Sequence, residues 1–200
     1  RAGVYMYEKT ILGNGIRLLT STMPHTRSVS VGLFVGAGSR YEDDKLAGLS
    51  HFTEHMLFKG TTRRPQAKEI SGAIESVGGI MNASTDREAT VYWAKVSSSH
   101  FQLALDVLMD MLCNPLLKSE ELERERLVVL EELKMTNDHP NLRADTLIDE
   151  IMWPDQPVGR DIGGTQESVR GLTREMMVEY MGHQYVPSNV ALCVAGNISH

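Results

Sequence analysis

His51 and His55 stand four residues apart, with Glu54 directly before the second, in the stretch "HFTEHMLFKG", whose Phe52, Met56, Leu57 and Phe58 suit the buried face of a helix. Residues four apart on a helix lie one turn above each other, so the two imidazoles point the same way and can converge on one ion, with Glu54 flanking them. One short segment must therefore bury apolar side chains and also present three polar ones together. Neutral imidazole is a good zinc ligand. A catalytic zinc keeps three protein ligands and a water whose pKa it lowers towards neutrality, and a glutamate beside the ion can take that water's proton. The order His-x-x-Glu-His is the inverse of the commoner His-Glu-x-x-His. The bland alternative, two satisfied histidines and a surface glutamate, requires a chance match that occurs in roughly one chain of this length in two hundred. The metal reading in turn requires a third ligand.

The helix expected over "SEELERERLVVLEELKM" offers one. Glu125 and Glu132 are two turns apart and share a face, with Val128 and Val129 between them, so both carboxylates fall on an apolar stripe. A carboxylate aimed into a core costs several kcal/mol unless it is paired or binds a metal. Glu131 is rotated by about 100° from Glu132, lies near Arg124 and Lys134, and reads as solvated. Without the histidines, a salt-bridged surface helix, which describes most such sequences, would be the preferred reading of the segment.

The rest of the chain reads as one α+β domain over residues 1–200 with a mainly antiparallel sheet. From Val4 to Gly38 the texture is that of a hairpin, turning at Gly13-Asn14-Gly15, and a third strand in which Ser and Val alternate. Two helices ending at glycine follow, "GLSHFTEHMLFKG" and "AKEISGAIESVGG". Strands are expected at "IMNAST" and "ATVYWAKV", then a capped amphipathic helix closed by Pro115. Further helices are expected at Ser119–Thr136, at Leu142–Met152 and in "TREMMVEYMGHQY", with a loop at "GRDIGGT" and a last strand at "NVALCVAGNI".

A formal charge of −6 with no basic block removes the usual basis for nucleic-acid binding. No apolar run reaches the ~18 residues that span a bilayer, so no membrane partner is expected. Cys113 and Cys193, far apart and outside any Cys-x-x-Cys spacing, suggest neither a disulfide framework nor a thiolate zinc site and fit a reducing compartment. The chain opens on Arg1 without an apolar signal core, as if something upstream had been removed. His25, His100, His139 and His183 lack ligand partners and read as surface or capping residues. Met109, Met111, Met176, Met177 and Met181 read as core filling. Cys113 is expected to be buried, and Gly163-Gly164 lacks the context of a phosphate-binding turn.

At "GLSHFTEHMLFKGT" and "ERERLVVLEEL" the sequence resembles the metal-binding helix and the third-ligand helix of the pitrilysin, insulin-degrading enzyme and mitochondrial processing peptidase superfamily. The resemblance implies a zinc metalloendopeptidase in which His51, His55 and Glu132 hold Zn2+, Glu54 is the base, and Glu125 supports the site without being a regular ligand. It implies that "GGIMNASTDREATVYWAKV" is an edge strand to which an extended peptide adds, with Asn82-Ala83 bonding the peptide backbone and Phe58 lining the pocket beside the scissile bond. The resemblance covers the first of two related halves, so a second half or a dimeric partner is expected to close the substrate chamber. Leu142 and Thr146 stand where mitochondrial processing peptidases place acidic residues that read an arginine. This favours a bacterial, cytoplasmic relative over one of the mitochondrial matrix. Two rivals are carried forward, a non-catalytic scaffold subunit of the same family and a zinc hydrolase of small molecules. The intact motif counts against the first and the substrate strand against the second.

Overall fold

In "SVSVGLFV" each second side chain is a branched or long apolar one, which makes one face of a strand fit for burial. This strand, β3 (Ser28–Val35), buries Val29, Val31, Leu33 and Val35 and turns Ser30 and Phe34 outward. The computed structural model describes residues 7–200; the part of the expected first strand before residue 7 lies outside the described residues. Among the described residues β3 belongs to a six-stranded sheet with β1 (Glu8–Ile11), β2 (Arg17–Thr22), β4 (Ile80–Thr85), β5 (Thr90–Ser97) and β6 (Val190–Gly196). The order is β1-β2-β6-β3-β5-β4. Every neighbouring pair is antiparallel except β2 and β6, because the late strand β6 inserts between the early hairpin and β3. The sheet is thus mainly antiparallel, as the strand texture indicates, with one parallel pair that no local signal announces. β4 closes one end of the sheet, and among the described residues its outer side has no strand beside it.

Seven α-helices accompany the sheet among the described residues: α1 (Leu49–Leu57), α2 (Ala67–Glu75), α3 (Phe101–Cys113), α4 (Ser119–Asp138), α5 (Pro140–Met152), α6 (Gln166–Gly171) and α7 (Arg174–Gln184). α3 packs on β3 and β5, and α1 sits between β4 and α4. The core lies where Leu33, Tyr92 and Ala94 of the sheet meet Phe52, Met56, Leu108 and Met111 of the helices. No helix among the described residues is long and apolar enough to cross a membrane.

The departures from the sequence reading have local causes. α5 starts at Pro140 rather than Leu142, since proline suits the first turn of a helix. α6 is too short to show a period and is announced only by Thr165, whose hydroxyl accepts from the Ser168 N–H. α3 has no side-chain cap; a 3-10 turn over Ser98–His100 leads into it. Cys113 is exposed, not buried, because it lies at the last turn of α3, rotated off the stripe of Ala104, Val107, Leu108 and Met111. Val128 is 42% exposed whereas Val129 is fully buried. The buried stripe of α4 runs through Leu122, Glu125, Val129 and Leu133, so Glu125 lies on it, Glu132 at its margin and Val128 beyond it.

The start of α1 is fixed by close backbone packing. Gly48 (φ +90°) would bring a Cβ within 2.3 Å of the Gly163 carbonyl oxygen, and Gly164 (φ +78°) would bring one within 2.2 Å of the Ala47 carbonyl oxygen. The loop "GRDIGGT" is therefore a packing surface for the helix that carries the histidines. Gly48→Ala and Gly164→Ala should each destabilise the domain by about 1–3 kcal/mol, since a left-handed non-glycine residue is strained and the added carbon meets backbone. Gly72→Ala is the contrast: it lies within α2 with nothing inside 4 Å of an added Cβ. That change should stabilise by up to about 1 kcal/mol. Urea unfolding of the three variants beside the unaltered chain checks both signs.

Candidate metal centre

Leu49, Phe52, Thr53, Met56 and Leu57 occupy one side of α1 and are buried, at the spacing of a helix face laid on a core. His51, Glu54, His55 and Phe58 form the other side and are half-buried. Glu132, at the margin of the α4 stripe, faces them. His55 Nε2 lies 3.2 Å from His51 Nε2, and Glu132 Oε2 lies 3.5 Å from His55 Nε2 and 3.7 Å from His51 Nε2. These three residues form the one His/Cys/Asp/Glu group among the described residues whose ligand atoms come close enough to share an ion.

The spacing fits zinc. Bonds near 2.0–2.1 Å in tetrahedral arrangement put ligand atoms about 3.3 Å apart, and the observed edges scatter around that value. Glu132 Oε2 is buried and has no hydrogen-bond partner among the described residues, as an oxygen waiting on a cation would be. His51 is held neutral, its pKa lowered to about 4 by burial first and by the neighbouring His55 second, and the neutral ring is the form that binds metal. Glu125 Oε2 lies 3.1 Å from His55 Nδ1, so a proton held on Nδ1 leaves Nε2 with its lone pair towards the ion position. The other oxygen of Glu125 takes the Lys59 ammonium at 2.7 Å. Glu125 and Glu132 therefore play different parts: the side chain of the first is 10% exposed and paired twice, that of the second 40% exposed and aimed at the histidines. Glu131 points away to solvent and pairs with Lys134, while Arg124 pairs with Glu121.

Glu54 lies in the same cleft, about 370 Å³ in volume, which His51, Glu132, Thr85 and Asp161 also line. Burial raises its pKa, opposed mainly by the Thr85 hydroxyl, which donates to Glu54 Oε2 at 2.5 Å. One oxygen is thus tied to β4. Asn82 and Ala83 stand on that edge strand, the Asn82 Oδ1 accepting from the Ala83 N–H at 2.9 Å. Phe58, one turn after His55 and half-buried, has its ring 6.5 Å from that of Tyr92.

Several residues of this neighbourhood escaped the sequence reading. Lys59 was visible as a residue four after His55, but its salt bridge to a glutamate on another helix was not. Arg126 lies over the Phe52 ring at 5.6 Å and donates to the carbonyls of Val169 and Leu172, tying α1, α4 and α6 together. Glu42, in the polar stretch between β3 and α1, is 3% exposed. Burial raises its pKa, and hydrogen bonds from Ser50 and Gly48 oppose the rise. No pattern in the sequence singles out these contacts, because they join distant segments.

Residues 17–166 match the family described as Insulinase (Peptidase family M16). A protein of Mycobacterium leprae named an uncharacterized zinc protease is 41% identical over 192 residues, which is 96% of this chain and 43% of that protein. A solved protease from Helicobacter pylori superposes with a TM-score of 0.92 at 24% identity, over 96% of this chain and 47% of that one. An M16 domain from Pseudomonas fluorescens described as inactive superposes with 0.89 at 16% identity, over 96% of this chain and 47% of that one. At those identities the two structures attest the fold alone, and an inactive domain shares it, so any chemistry has to be read from side chains. The chain spans about half the length of the relatives it matches. The matched segment includes both helices of the metal-ligand group and the edge strand: the chain belongs to the insulinase family, peptidase family M16.

Proposed function

We propose that the chain is the zinc-bearing half of a metalloendopeptidase, with His51, His55 and Glu132 as ligands and Glu54 as general base. The single observation that carries this reading is the close triangle of His51, His55 and Glu132 ligand atoms, two of whose residues, His51 and Glu132, line the same cleft as Glu54. Bound zinc would supply Lewis acidity and a water of lowered pKa. Glu54, with Oε2 held by the Thr85 hydroxyl, takes a proton from water and passes it to the leaving nitrogen. Glu125 and Lys59 keep the His55 ring in its tautomer and orientation. The substrate is an extended peptide that adds to the outer side of β4 beside Asn82 and Ala83.

The long edge strand favours a peptide over a small molecule, and the intact set of His51, Glu54, His55 and Glu132 favours an enzyme over a scaffold subunit. Residues 1–200 act as one domain in this proposal. A second half or a partner chain supplies the opposite wall of the chamber, which agrees with relatives about twice as long. Two cysteines without a disulfide and relatives from bacteria support a bacterial cytoplasmic setting.

Zinc should raise the thermal midpoint of the unaltered chain by mass action. Glu132→Gln should weaken zinc binding by more than the roughly 10–100-fold expected of an outer-shell change. Elemental analysis and a chelator competition decide it; full occupancy at unchanged affinity removes Glu132 from the ligand set.

Glu54→Gln should bind zinc as the parent does and lose about 10²–10⁴-fold in peptide turnover, since an amide cannot accept the water's proton. Near-parental cleavage by this variant rules out Glu54 as the base.

With one wall only, the bound peptide is held on one side. The 200-residue chain should therefore cleave a fluorogenic peptide library at least about 10²-fold more slowly than when the remaining half is supplied in cis or as a partner. Equal turnover would show a self-sufficient first half.

A further inference from the structure

α1 starts without a side-chain cap of its own. Its first N–H groups are met instead by a carboxylate from outside the helix: Glu42 Oε2 accepts from the Gly48 N–H at 2.8 Å, and Glu42 Oε1 accepts from the Ser50 N–H at 2.6 Å and the Ser50 hydroxyl at 2.5 Å. An anion at this end of a helix meets both the unpaired N–H groups and the positive end of the helix dipole. The Ser50 hydroxyl also lies 2.7 Å from the Tyr180 hydroxyl on α7, and Arg160 donates to the backbone carbonyl of Glu42. Ser50 is the residue directly before His51. The other end of α1 is held to α4 by the Lys59–Glu125 pair. The helix is clamped at both ends.

We infer that Glu42 is a positioning residue for the metal site, fixing the height and rotation of α1 so that His51 and His55 meet Glu132 at ligand spacing. This inference rests on the proposed zinc site. The edges from Glu132 to the two histidines, 3.5 and 3.7 Å, already reach slightly beyond a tetrahedral zinc edge of about 3.3 Å. A slip of α1 by even about 1 Å away from α4 would put the carboxylate out of range of one imidazole. A carboxylate gripping two backbone N–H groups and a hydroxyl at once resists such a slip in a way a single-oxygen acceptor does not.

The test is zinc affinity, measured by competition with a chromogenic chelator, on the unaltered chain and on Glu42→Gln. A second comparison is Val96→Ala, a core change in β5 on the far side of the sheet register from the site. Melting without metal reports stability separately. Glu42→Gln should weaken zinc binding about tenfold, in the range of other supporting-shell losses. Val96→Ala should lower the melting temperature and leave the zinc constant within twofold. If Glu42→Gln does not fold, Ser50→Ala, which removes one of the three donors, takes its place and should show about a threefold loss. A folded Glu42→Gln, or failing that a folded Ser50→Ala, that binds zinc as tightly as the parent overturns the inference while leaving the zinc site standing. An unaltered chain that takes up no zinc removes the site and the inference with it.

Discussion

The structure depends on the contact between α1 and α4. His51, Glu54, His55 and Glu132 are all carried by these two helices, and their separation sets the two distances from Glu132 to the histidines. α1 contributes one apolar face to the core and one polar face to the cleft. α4 meets that polar face along the margin of its own apolar stripe. Phe52 under the Arg126 guanidinium and Lys59 on Glu125 are the contacts that set the approach. A charged pair with one partner at 10% exposure contributes little net stability in general, since desolvation offsets attraction. Its value here is directional: removing either partner would leave a buried charge and free one helix to shift against the other.

Burial of carboxylates is the second constraint. Glu42 and Glu125 are both nearly excluded from water, and each is met by several donors, Glu42 by backbone N–H groups and a hydroxyl, Glu125 by an ammonium and an imidazole. A buried carboxylate lacking such partners would take up a proton and lose its grip. Both therefore mark places where the fold has to hold a fixed geometry. The two lie at opposite ends of α1.

Much of this was legible in the sequence because the periodic signals were strong. Val29, Val31, Leu33 and Val35 announce their strand, and His51, Glu54 and His55 announce a shared helix face from spacing alone. Spacing could not choose between Glu125 and Glu132, since both lie on one side of α4; the resemblance to known peptidases singled out Glu132, and the geometry now gives a physical reason for the difference, which is that Lys59 and His55 Nδ1 already claim Glu125. Val128 departs from the stripe: the side that contains Glu125 and Val129 turns towards Leu122 and Leu133, and leaves Val128 in solvent. Glu42 and Thr85 were not legible at all. Their roles come from contacts with Gly48, Ser50 and Glu54, which depend on how a loop and an edge strand fold over the helix. The parallel pairing of β2 with β6 was equally silent, because parallel strands brought together by a late chain segment leave no turn signature.

The contrast between the two glutamates of α4 also bears on what an ion in the proposed site would do for the fold. A metal ligand buried as deeply as Glu125 would be a liability whenever the ion is absent, since its charge would have no partner, and such a domain would need zinc to fold. Glu132 is placed otherwise. With its side chain 40% exposed, it is far less desolvated than Glu125, so the metal-free cost is smaller even though Oε2 lacks a hydrogen-bond partner among the described residues. His51, held neutral by burial, adds no charge to be repelled. The core beneath, from Leu33 and Tyr92 to Phe52 and Met56, is complete without the ion. The group of His51, His55 and Glu132 is thus brought together on helices whose packing beneath it is complete, as the proposed metal site requires.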